Sequence, residues 1–257
     1  MTIKKVYLFS SLLSLALAGR ISYKDDGPRE TARRPVRDEE PGRVQVLDCY
    51  DNYQGSGAQF HADDYVPSLR NYGWDNRIGS CCFTGIWILY GEDDYNEYST
   101  GAASWWAFGE NNCMDVPSQF NNDASSLRFT GAPDDYLYDT LNIYFNDYFI
   151  GNEEFMYNDM PLLNYDNRAR SIIVTGCSPW TLYQYDNYNG NAMCVFPGDS
   201  SSCTPGYYTS YQSLGSLAGQ VSSARKGCYA REKIFPLNYG PGKMEGNGTS
   251  GFFSRHL

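Results

Sequence analysis

The chain is short of the residues that most catalytic chemistry needs. Its 257 residues include two histidines, His61 and His256, so a serine or cysteine nucleophile has one imidazole base to draw on inside the body of the chain. No two cysteines have Cys-x-x-Cys spacing and the histidines lie far apart in sequence, which argues against a tetrahedral zinc site. No glycine-rich loop leads into a helix to cradle phosphate. Basic residues are outnumbered, 20 Lys and Arg against 30 Asp and Glu, for a formal charge of -10. That balance argues against nucleic acid as a partner, because phosphate binding needs a basic surface that releases counterions. Long apolar runs are also absent beyond the first residues. The run from Val6 to Leu17 is too short to span a bilayer. With Lys4 and Lys5 before it and small residues at Ala16 and Ala18, residues 1–18 read as a secretory signal peptide. No membrane span is expected, and the mature protein should be secreted and extracellular.

What the chain does have is aromatic side chains and glycine: 23 Tyr, 16% aromatic residues and 25 Gly. This favours short pleated strands joined by tight turns, an all-β fold. Eight cysteines in an exported chain suggest disulfides. Four lie in the first half (Cys49, Cys81, Cys82, Cys113) and four in the second (Cys177, Cys194, Cys203, Cys228), which suits two separately closed domains with the pairing left open. Residues 19–43 are charged and proline-rich and are expected to form a disordered leader. Within them Arg34-Pro35-Val36-Arg37 reads more readily as solvated linker than as a processing site. Residues 231–257 are expected to be a flexible C-terminal tail, with Asn247-Gly248-Thr249 a glycosylation acceptor sequence.

Between these ends the chain repeats itself four times. Tyrosine-led hairpins begin at Tyr50, Tyr90, Tyr144 and Tyr185, and each is followed by a polar arch that ends in serine. The arches are Asp75 to Ser80, Asn121 to Ser126, Asp166 to Ser171 and Ala218 to Ser223; their final serines stand 46, 45 and 52 residues apart by subtraction of those positions. Segments after the arches, such as Ile86-Trp87-Ile88-Leu89-Tyr90, have the β-branched and aromatic content of strands. Units with four strands and returning connections describe Greek keys, and two packed together close a sandwich.

These hairpin-plus-arch units resemble the βγ-crystallin superfamily, whose motifs join an aromatic-x-x-x-x-x-Gly hairpin to an arch of the form Asn/Asp-Asn/Asp-x-x-Ser/Thr-Ser. Tyr50 to Gly55 and Tyr185 to Gly190 are close to the hairpin pattern, with one residue fewer before the glycine, whereas the Tyr90 hairpin carries Asn96-Glu97 where glycine is usual. The resemblance covers roughly residues 44–230 and implies two Greek-key β-sandwich domains, 44–131 and 138–230. It also implies paired calcium sites, in which the fifth-position hydroxyl of one arch serves an ion held chiefly by the other. On that implication Asp75 and Asn76 recruit Ser125 to form one good site in the first domain. Asn121 and Asn122 find Gly79 where a hydroxyl is needed. Asp166 and Asn167 with Ser222 form at best one degraded site, because Arg168 and Arg170 on that arch should repel a divalent ion. Asn, Asp and Ser equally cap turns through their own backbone, so the arches suit a purely structural role as well, and each final serine can tie down the folded hairpin.

The enzymatic alternatives are thin. His61 has no triad context, and the carboxylates Glu92, Asp93 and Asp94, or Asp134 and Asp135, sit in expected hairpin tips and turns rather than flanking a cleft. Trp105-Trp106 could present a sugar-binding surface, but aromatic residues on strands are more often core. The reading is therefore a non-enzymatic extracellular protein with a structural or interactive role. Its expected partners are calcium ions and an extracellular protein or matrix surface. The rival reading is a defence or toxin-like protein, or an enzyme inhibitor acting through its loops.

Overall fold

A computed structural model describes residues 43–236 and 249–254. The signal peptide, the leader up to residue 42 and the acceptor Asn247 lie outside the described residues.

The run Ile86-Trp87-Ile88-Leu89-Tyr90 has no charged side chain to turn towards water, so a strand there needs cover on both faces. The structure supplies it. In the first half the strands are β1 (Val46–Tyr50), β2 (Gln59–Ala62), β3 (Ser80–Tyr90), β4 (Ser104–Asp115) and β5 (Ser126–Phe129). β1 lies between β2 and the start of β3, β5 pairs with the end of β3, and β4 runs antiparallel along the other side of β3. One long hairpin thus joins β1 and β2 at one end to β5 at the other in a single sheet. The β3–β4 register shifts next to Gly85, which has φ +99°. The Gln45 carboxamide fills the place of a Cβ there, so glycine is required on both counts.

The second half contains β6 (Leu141–Tyr144), β7 (Glu153–Met156), β8 (Ser171–Val174), β9 (Trp180–Tyr185), β10 (Asn189–Val195), β11 (Gly206–Tyr208), β12 (Ser223–Lys226) and β13 (Glu232–Ile234). They form two four-stranded sheets, ordered β11-β8-β6-β7 and β12-β9-β10-β13. The order crosses over between repeats, as expected of interlocked Greek keys.

Of the flexible tail expected at residues 231–257, two described pieces, Glu232–Ile234 and Thr249–Phe253, are strands, and residues 237–248 lie outside the described residues. β13 adds in parallel to β10, and β14 (Thr249–Phe253) returns to the first half and pairs antiparallel with β4. Glycine-rich composition suggested mobility, but a strand on a sheet edge satisfies its backbone through a partner distant in sequence, which composition does not reveal.

The disulfides, left unassigned by spacing, close within each half: Cys49–Cys81, Cys82–Cys113, Cys177–Cys203 and Cys194–Cys228. Cys49 faces Cys81 across β1–β3, and Cys82 faces Cys113 across β3–β4.

Two cores follow from the period of two along each strand. Trp87 and Leu89 of β3 with Trp105 and Ala107 of β4 point into the first core; Leu141, Ile143, Ile172 and Val174 point into the second. The alternate residues Ile88, Tyr90, Trp106, Tyr144 and Ile173 meet one another in a third apolar layer between the halves. Both faces of the central strands are therefore buried, one in its own domain and one against the other.

At the centre of that layer lies Arg128, fully buried. Its guanidinium donates to the Tyr90 hydroxyl at 3.0 Å, to the Phe149 carbonyl at 3.1 Å and to the Gly151 carbonyl at 2.9 Å, and it packs against the rings of Tyr90, Tyr95 and Tyr144. Burial works against its charge, but the surrounding oxygens of Tyr90, Glu153 and Tyr144 outweigh it and hold the guanidinium protonated. Burial likewise pushes the Tyr90 phenol up. Replacing Arg128 by Ala leaves the Gly151 carbonyl without its donor and the Phe149 carbonyl with only the Tyr90 hydroxyl, and should lower unfolding free energy by about 3–5 kcal/mol. Urea denaturation of the variant beside wild type measures the loss; a change under 1 kcal/mol contradicts this role.

Candidate functional site

Each arch is built from the same two local devices. The first is a left-handed residue at its second position. Asn76, Asn122, Asn167 and Gly219 have φ of 57°, 57°, 59° and 63°. Asn tolerates that conformation and Gly adopts it freely, which accounts for the residue type there. The turn lets the backbone of one arch reach its partner: the Asn76 N–H donates to Ala124 O, that of Asn122 to Ile78 O and that of Asn167 to Val221 O, at 2.9–3.0 Å. Asn76, Asn122 and Asn167 thus have a conformational task.

The second device is the final serine, which clamps the hairpin of its own repeat. Ser80, Ser126, Ser171 and Ser223 donate to the carbonyls of Asn52, Glu92, Asn146 and Tyr185, each at 2.6 Å. The same hydroxyls accept from the N–H groups of Gly55, Tyr95, Phe149 and Tyr188 at 2.9–3.1 Å.

On this scaffold the structure brings Asp75 and Ser125 together from opposite arches: the Ser125 hydroxyl donates to Asp75 Oδ1 at 2.6 Å. Two residues that sequence reasoning did not place here join them. Arg70 Nε lies 3.3 Å from Asp75 Oδ2 and 3.3 Å from Asp93 Oδ2. Asp93 Oδ1 is buried with no hydrogen-bond partner among the described residues. Asp93 was visible only as part of the acidic run 92–94, and nothing in the spacing marks Arg70.

The other expected pairings are less convergent. Gly79 has no side chain to offer Asn121 and Asn122, and a Cβ there would meet the backbone of Asp51 and Asn52 at 3.0–3.2 Å, so the packed hairpin leaves little room for one. Asn121 instead lines an open hollow with Glu92 and Asp123. The Asp123 carboxyl there is raised above its ordinary value by burial and by the Glu92 charge. In the second half Asp166, Asn167 and Ser222 line one open depression of about 570 Å³. There the Ser222 hydroxyl is committed to the Gln184 carbonyl at 2.8 Å, and Asp166 Oδ2 accepts from its neighbour Asn167 at 3.0 Å. Arg168 is exposed. Arg170 turns to the third hairpin, 3.4 Å from Asp147 Oδ1 and over the Tyr211 ring. Arg77 pairs in the same way with Asp51 of the first hairpin, at 3.0 Å. Among the described residues no group of three or more His, Cys, Asp or Glu side chains gathers as a metal cluster. Any cation here relies on mixed carboxylate, hydroxyl and carbonyl oxygens.

No family model and no curated protein matches the chain. Solved structures do. Geodin, a βγ-crystallin from Geodia cydonium, superposes with a TM-score of 0.55 at 19% identity, covering 71% of this chain and 99% of that one. An archaeal βγ-crystallin matches 34% of this chain and 96% of its own at 27% identity, with a TM-score of 0.29. Protein S, solved in complex with calcium, matches 71% of this chain and 98% of its own at 18% identity, with a TM-score of 0.24. The chain has the βγ-crystallin fold in tandem, two Greek-key domains in an all-β architecture.

Two substitutions separate the structural devices from the carboxylate pair. Ser126→Ala strands the buried Tyr95 N–H and should cost about 1–3 kcal/mol in thermal or urea unfolding, whereas Ser125→Ala leaves the hairpin clamp intact and should cost less. Asn122→Gly should be close to neutral, while Asn122→Ala, forced into the left-handed region, should cost about 1–2 kcal/mol. Equal effects of the Gly and Ala variants in the same unfolding assay would contradict the conformational role.

Proposed function

We propose that this protein is a secreted, non-enzymatic structural or interaction protein that takes calcium at the arch pair of its first domain and acts at an extracellular matrix or secretion surface. The observation that carries the reading is the meeting of Asp75 and Ser125 from opposite arches beside Asp93, whose buried Oδ1 has no hydrogen-bond partner among the described residues. The donors fit a hard cation: calcium takes six to eight oxygens, and carboxylates, hydroxyls and backbone carbonyls on a rigid arch suit it. Asp75, Asp93 and Ser125 would hold the ion, which would add a cross-link between the arches. Arg70 stands against both carboxylates as a tethered cation and has to yield before an ion can enter.

Four disulfides within the described residues support an oxidising compartment. No helix among the described residues is long and apolar enough to cross a membrane. The acidic balance of the chain suits attraction of cations and of basic or mineral surfaces. The second domain is the weaker candidate for metal, since its serine hydroxyl is turned to Gln184.

Calorimetric titration with calcium tests the proposal. Wild type should release or absorb heat in the millimolar range and gain thermal stability with the logarithm of free calcium. Asp75→Ala should abolish the first-domain signal. Arg70→Gln should tighten binding about three- to tenfold, because two partly exposed ion pairs no longer have to be broken. Absence of heat and of a thermal upshift in both wild type and Arg70→Gln would rule out calcium and leave the arches purely structural.

A further inference from the structure

β14 is held by contacts that are specific to its own sequence. It forms the edge of the first-domain sheet, with Gly251 opposite Trp106 and Phe252 opposite Trp105 on β4. Gly251 lies flat on the indole of Trp106, so that any Cβ would overlap the ring. Phe252 packs into the first core beside Phe120, at a ring distance of 6.0 Å. Phe253 turns the other way and stacks on Tyr148 of the second domain, with centroids 3.6 Å apart and planes within 10°. Five residues therefore read both domains, through a small residue, one ring in a core and one ring in the interdomain layer.

Without β14 the backbone of β4 from Ser104 to Phe108 would be an open sheet edge bordered by Trp105 and Trp106, a template for another extended chain. Fourteen residues, 235–248, separate the end of β13 from the start of β14. Fourteen extended residues reach at most about 50 Å, the bound within which the same seat on an adjoining molecule has to lie.

We propose that the β4 edge is a strand-accepting docking site and that its occupant in concentrated protein is β14 of a second copy, so that chains link by strand exchange. The seat fits this sequence wherever it comes from: every contact of the closed monomer is made again in the exchanged form. The balance between them is then set by how the concentration of neighbouring chains compares with the effective concentration of the chain's own strand, taken as about millimolar for a link of this length. Dilute chains close on themselves; crowded chains exchange. A head-to-tail exchange that does not close into a ring extends into filaments.

The test uses the chain ended at Gly248, the full-length double variant Phe252→Ala/Phe253→Ala, and the synthetic peptide Thr249–Leu257. The double variant keeps the whole chain, so the test stands even if truncation impairs folding. In calorimetry the peptide should bind both seat-free forms at one to one, a peptide carrying Gly251→Val should not, and dilute wild type should not bind either. In sedimentation, wild type at about millimolar concentration should form dimers or larger species that excess peptide returns to monomers. Failure of both seat-free forms to bind the peptide, a monomeric wild type at that concentration, or oligomers that persist in excess peptide would each overturn the proposal.

Discussion

A strand that is apolar on both faces has to be covered twice, and the central strands of this protein impose that requirement on everything around them. β3 and β4 send alternate residues into their own core and into the layer shared with the other half, and β6 and β8 do the same from the opposite side. At roughly 25 cal/mol per Å² of apolar surface removed from water, neither half gains by leaving that second face open. The tandem arrangement gives each half cover for its second face. The buried Arg128 lies in this layer and takes hydrogen-bond acceptors from both halves. A charge in so dry a place adds little net stability, but it penalises any docking that leaves it without partners.

The arches illustrate how one local design serves two purposes. The left-handed second residue and the clamping final serine recur in all four repeats, with hydroxyl-to-carbonyl distances of 2.6 Å in each. Those groups are spent on holding the hairpin and the partner arch. What remains for a cation is the first-position carboxylate and the fifth-position hydroxyl, and only in the first domain does the structure bring these together directly. Arg70, Arg77 and Arg170 each sit on an acidic side chain of the arch and hairpin system and balance its charge.

The fourfold repeat was legible in the chain because its signals are local. Tyrosine hairpins, serine-ended arches and β-rich segments each act on residues a few positions away, and so they survive as pattern. The pairing of Asp75 with Ser125 was also legible, through the resemblance that the repeat revealed. Asp93 and Arg70 were not, because a guanidinium that reaches across from a separate turn leaves no mark on spacing. The disulfide partners were equally hidden; each half allowed three pairings, and in the first half cross-strand register selected one.

By itself, then, the sequence determined the β class, the four repeats and the chemistry available at each arch, since turn preference and side-chain alternation are properties of neighbouring residues. Only the tertiary structure decided which faces of β3 and β6 would be shared, where Arg128 would find its acceptors, and that Thr249–Phe253 would return as a strand. Those outcomes join residues as far as 149 positions apart, as the pairing of Ser104 with Phe253 shows. Such contacts form when apolar surface and backbone groups find cover in three dimensions, a condition with no counterpart in the order of residues along the chain.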